Sequence, residues 1–99
     1  MKPLFIPLRR EYYEAFAAGV KRHEYRCYGA RWNERTCRIG RPAVISCGYG
    51  KQARIDAWIV SFNRQPIGVV PKLVRRIYPQ AETIAVIGLA MAKETETVV

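Results

Sequence analysis

Gly19-Val20-Lys21-Arg22-His23-Glu24-Tyr25-Arg26 follows a short helical pattern and leads into an extended one, and its reading decides the fold. A glycine directly after a helix takes positive φ without steric cost, so the chain reverses at Gly19 and Lys21 lies in the turn. Glu24 and Arg26 are two apart, so on a strand they project from one face while His23, Tyr25 and Cys27 project from the other. An ammonium, a carboxylate and a guanidinium converge on one spot. The opposite face is assigned to packing against the sheet, with His23 structural there and not a ligand or base.

Outward from that stretch, Leu4 to Leu8 reads as a first strand, with Pro7 suited to an edge or a strand end. Arg10 to Ala18 reads as a helix burying Tyr13, Phe16 and Ala17, while Tyr12 either covers the sheet rim or flanks the cleft. Gly29 to Gly40 is an irregular connection carrying Trp32 and Arg31, Arg35 and Arg38. Arginines interleaved with an aromatic ring are a surface on which an unpaired base stacks, and Trp32 equally serves as a plug for one end of the sheet. Pro42 to Cys47 and Ala53 to Phe62 read as strands joined through Gly48-Tyr49-Gly50-Lys51, a hairpin signal. Asn63 to Gly68 reads as a loop. Pro71 opens a helix whose Val70, Leu73, Val74 and Ile77 form a packing stripe, leaving Lys72, Arg75 and Arg76 as a basic face. Thr83 to Met91 is a buried strand, with Gly88 marking a bulge. The expected organisation is one α+β domain over 1–92 and a flexible tail over 93–99.

Charge is the strongest statement of composition. Seventeen Lys and Arg face eight Asp and Glu, giving +9 over 99 residues, and fifteen of the basic residues lie between Arg9 and Arg76. Such a field draws polyanions by releasing their counterions, or else simply solvates the surface. Arginine, which outnumbers lysine twelve to five, favours phosphate, which its planar fork binds in bidentate fashion. Cys27, Cys37 and Cys47 form an odd set with no export signal, which points to reduced thiols in the cytoplasm. No Cys-x-x-Cys or comparable pairing supports zinc, so neither metal nor cofactor is expected. The longest apolar run, 84–92, is too short to span a bilayer, which takes about twenty residues.

The spacing Gly19-x-Lys21-x-x-Glu24-x-Arg26, in its helix-turn-strand setting, resembles the ASCH domain, a small relative of the PUA RNA-binding modules. The first strand, first helix and the segment Pro71 to Pro79 fall in the same order. The resemblance implies a PUA-like β-barrel of about five to six strands with two short helices packed on it, and a cleft lined by the motif. It implies RNA or a nucleotide as ligand, bound by Lys21, Glu24 and Arg26, with Arg9, Arg10, Arg31, Trp32 and Arg35 around it. One branch of the family looks like acetylcytidine amidohydrolases, in which a Thr nucleophile and a distant carboxylate join the Lys. Here Glu24 stands where that Thr would be, and no acid lies near Asn63 for the distant carboxylate.

Three readings of the trio stay open. The charges pin the turn, as most surface clusters do. Alternatively, Lys21 and Arg26 donate to a nucleotide while Glu24 accepts from an exocyclic amine or a ribose hydroxyl. Finally, Lys21 and Glu24 are catalytic, in a small hydrolase acting on a modified nucleoside or on RNA, which requires Lys21's pKa to fall. A basic module that docks an acidic protein is the remaining alternative, and oligomeric state is left open.

Overall fold

The computed structural model describes residues 2–92; the tail expected over 93–99 lies outside them. β1 (Leu4–Leu8), α1 (Arg10–Ala17), β2 (His23–Cys27), β3 (Pro42–Cys47), β4 (Arg54–Pro66), a single 3-10 turn (Ile67–Val69), α2 (Lys72–Ile77) and β5 (Thr83–Met91) follow one another along the chain. The strands form one curled sheet in the order β1-β3-β4-β5-β2. β1 runs parallel to β3 and every other pairing is antiparallel. The fold is thus α+β, a half-barrel carrying two helices. Its two edges, β1 and β2, are the strands flanking α1. Pro7 lies on one of them, where its missing N–H leaves no hole in a ladder.

β4 is longer than the sequence pattern indicates. Residues 63–66, expected in a loop, continue the strand, with Asn63 opposite Val86 and Pro66 opposite Thr83. A partner strand decided this, since the polar run Asn63-Arg64-Gln65 has little strand character alone. The register shifts between Ile59 and Ser61. Ala57 and Ile59 are buried before it, and Phe62 packs on the core after it, so the bulge exchanges odd for even residues on the inner face. The bulge therefore lies in β4, opposite the expected Gly88. Gly88 makes room for it, because a Cβ there would clash with Ser61 Oγ.

β5 is covered on both sides. Ala85, Ile87, Leu89 and Met91 join Ile6, Phe16, Ile45 and Ile59 in the inner core, while Ile84 and Val86 pack against Val70 and Val74. A strand buried on both faces reads as a continuous apolar run, as 84–92 does. Two expectations fail here for one reason. The stripe on α2 is split, with Val70 and Val74 buried but Leu73 53% and Ile77 42% exposed. On β2 the inward face belongs to Glu24, which is buried, and His23 and Cys27 are exposed. In each case an apolar or charged side chain is turned towards a space between elements and not towards the centre of the sheet.

Candidate functional site

The space in question is a cavity of about 260 Å³ at the open seam between the two edge strands. Pro7, Leu8 and Arg9 form the β1 side, Tyr12 comes from α1, and Lys21, Glu24, Tyr25 and Arg26 form the β2 side. Leu73, Val74, Ile77 and Tyr78 close it from α2 and the residue after it. Tyr12 therefore flanks the cleft, as one of its two readings had it.

The local fold dictates how the trio enters this space. α1 ends with Gly19 at φ +79, Gly19 N–H on Phe16 C=O and Val20 N–H on Ala15 C=O, the paired bonds of a Schellman cap. Lys21 N–H also reaches Ala15 C=O, at 3.1 Å. The turn is thereby tied to the helix end, and Lys21 is fixed beside the helix's aromatic face. Its Nζ stands 5.5, 5.4 and 5.2 Å from the ring centroids of Tyr12, Phe16 and Tyr25. Glu24 Oε1 lies 3.7 Å from the same Nζ. Glu24 Oε2 accepts from Arg26 Nε at 2.7 Å, as the two-residue spacing on a strand allows.

Arg26 is more committed than a ligand-binding arginine. Its Nη2 donates to Pro7 C=O at 2.6 Å, across the seam where β1 and β2 share no ladder. Its Cζ stacks 4.7 Å from the Trp32 ring centroid. Two donors and one face are therefore spent inside the protein, and Arg26 acts first as a clasp between the edges. On the other flank Tyr78 Oη donates to Tyr25 C=O at 3.2 Å, tying the segment after α2 to the free edge of β2.

The structure does not gather all the expected site residues. Lys21, Glu24, Arg26 and Arg9 line the cavity; Arg10, Arg31, Trp32 and Arg35 do not. Trp32 is 9% exposed and belongs to the inner core, with Arg26 on its ring and Arg31 Cζ 5.6 Å from the centroid. It takes the plugging role and offers no open face for a base. Arg35 sits exposed in a loop held by Asn33, whose Oδ1 accepts from Arg35 and Thr36 N–H. Sequence reasoning missed Tyr25, Leu73, Ile77 and Tyr78 as cavity residues. For Leu73 and Ile77 the signal was present, as apolar side chains at helical spacing flanked by basic ones, but periodicity does not say whether a stripe faces a core or a cleft. Among the described residues no three His, Cys, Asp or Glu side chains gather as a metal set, and no helix is long and apolar enough to cross a membrane.

Burial lowers the Lys21 pKa below its ordinary 10.5. Glu24 opposes this by charge and hydrogen bonding, and Arg26 adds to it. Removing Glu24's charge takes away the raising influence, so Glu24→Gln should move the Lys21 midpoint lower still. Side-chain NMR titration of Lys21 reads this, and an upward move would refute the arrangement. The linkage follows with its sign. Between the lowered midpoint and 10.5 the unfolded chain holds the proton that the native chain has lost, so stability rises with pH across that window. Wild type should gain on Lys21→Met there, and the gain should vanish as pH falls through the native midpoint.

A curled five-stranded sheet with a cavity at its open seam, lined from both edge strands and α2, defines a small α+β half-barrel domain. No protein-family model matches the chain, and no curated protein matches it. Its fold is similar to that of ZmASCH from Zymomonas mobilis, as seen in crystal structures of two mutant forms. One superposes with a TM-score of 0.68 at 15% identity over 90% of this chain and 69% of that one. The other gives 0.67 at 14% identity, over 87% and 66%. The chain spans about two thirds of those proteins, and the architecture is ASCH-like.

Proposed function

We propose that this domain binds RNA or a nucleotide, one base or nucleoside unit at a time, in the seam cavity. The observation that carries the reading is the meeting of Lys21, Glu24 and three tyrosines in one cavity of about 260 Å³, in a chain of net charge +9. A space somewhat below the roughly 300–1,000 Å³ of common ligand sites suits a single ring system. Tyr12, Tyr25 and Tyr78 supply aromatic wall for it, Lys21 donates, and Glu24 Oε1 accepts. Arg9 at the rim takes the adjoining phosphate. Arg10, Arg31 and Arg35 act at longer range, adding salt-sensitive attraction.

The test is the affinity of short single-stranded RNA and of mononucleotides for wild type, Lys21→Ala and the exposed control Lys51→Ala, at two salt concentrations. Lys21→Ala should lose about tenfold or more, about 1.4 kcal/mol, and Lys51→Ala far less. Equal small losses in both variants would sink the site and leave diffuse phosphate binding, or a basic face that meets an acidic protein. A hydrolase remains the second reading, because a half-buried Lys21 with a lowered pKa is suited to take a proton from an attacking water. RNA and acylated nucleosides recovered intact after binding would count against it; products that disappear with Lys21→Ala would favour it.

A further inference from the structure

The Lys21 amine has an environment that phosphate or base binding does not need. It ends in the cavity with its side chain 21% exposed, so it is largely withdrawn from bulk solvent yet within reach of a molecule that enters the cavity. Leu73, Ile77 and Tyr78 present apolar surface across the same space. A second cation, Arg26, lines the same cavity. Withdrawal of a lysine into a partly apolar pocket favours the neutral amine, the form that attacks a carbonyl; burial lowers the Lys21 pKa in this way, Glu24 opposes it and Arg26 adds a smaller part. The carboxylate 3.7 Å from Nζ is placed to carry protons during attack and dehydration.

We propose that Lys21 is a covalent capture site, whose Nζ condenses with a small aldehyde or ketone bearing an apolar or aromatic body to form an imine. The Nζ lone pair forms a bond to the carbonyl carbon, and the π pair of the carbonyl moves to oxygen. Glu24 takes a proton from nitrogen and delivers it to that oxygen, giving a carbinolamine. The C–O bond then breaks, the oxygen leaves as water with one further proton, and the nitrogen lone pair closes the C=N bond. From the ammonium, the balance is one protonated imine and one water, with no change of oxidation state. The positive charge stays where the ammonium was. Glu24 balances it, and the rings of Tyr12, Phe16 and Tyr25 favour a cation at that point.

The inference rests on the cavity being the ligand site, but its test does not depend on RNA. Benzaldehyde carries neither ribose nor phosphate, so RNA affinity and imine formation are read separately. The folded protein is incubated with benzaldehyde and sodium cyanoborohydride, which fixes each imine as a benzylamine, and labelling at every lysine is followed by peptide mass spectrometry. Lys2, Lys51 and Lys72 are exposed and serve as internal references. Lys21 should be labelled roughly tenfold faster than they are near neutral pH, with its rate rising to a plateau at lower pH than theirs. Ile77→Trp, which narrows the cavity from α2, should slow Lys21 and leave Lys51 unchanged. Labelling of Lys21 no faster than of the exposed lysines, or unaffected by an Ile77→Trp exchange whose circular dichroism and melting show a folded protein, would overturn the proposal. Loss of RNA affinity in Lys21→Ala with no selective labelling would keep the binding site and reject the covalent one.

Discussion

Arg26→Ala should lower the free energy of unfolding by about 3 kcal/mol, the low end of what is lost when one partner of a buried ion pair is removed. The side chain is 17% exposed and Glu24's is 9%, so water replaces only part of what is lost. Glu24 would keep only Lys21 at 3.7 Å, Pro7 C=O would lose its 2.6 Å donor, and the Trp32 ring would lose its covering cation. In a domain of this size the melting midpoint should fall on the order of 10–20 °C. Arg26→Lys should recover part of this, since one ammonium cannot serve Glu24, Pro7 and the indole face together. Urea unfolding with an unchanged slope is the measurement. The internal control is Arg64→Ala, which breaks the Arg64–Glu34 pair, whose side chains are 58% and 52% exposed, and should change stability little. Equal effects at both arginines would mean that the seam is not clasped by Arg26.

Trp32→Ala should be at least as costly, about 3–4 kcal/mol, as for other large aromatic truncations in a core. The ring is 9% exposed and packs within the inner core that also contains Ile6, Phe16 and Ile87. Trp32→Phe should keep most of the packing and fold well. The RNA affinity of Trp32→Phe should stay within about twofold of wild type, a change of about 0.4 kcal/mol. A tenfold loss in a stable Trp32→Phe protein, matching that of Lys21→Ala, would return Trp32 to the ligand. Circular dichroism and isothermal titration separate the two results, because the first reports unfolding and the second the heat of binding.

These expectations show why some positions were legible and others not. Gly19, Lys21, Glu24 and Arg26 lie within eight residues, so helix stop, turn and strand are enough to relate them, and each is a local property. β5 announced itself because a strand covered on both sides is apolar at every position. The two helices were found from their periodicity, and their ends from Gly19 and Pro71. What the chain could not announce locally is which neighbour each face meets. Residues 63–66 are strand because β5 runs beside them, and the bulge between Ile59 and Ser61 exists where Gly88 leaves room for it.

The same distinction applies to the candidate site. The sequence by itself determined an α+β domain, a strong positive charge and the grouping of Lys21, Glu24 and Arg26, since these follow from composition, turn chemistry and a two-residue period. Only the tertiary structure decided that Leu73, Ile77 and Tyr78, some fifty residues away, complete the cavity, that Trp32 is core, and that Arg26 holds the seam. The physical reason is that the sheet curls until its two edge strands approach without pairing. A gap between edges is a property of closure, set by every strand together, and no single stretch of the chain encodes it.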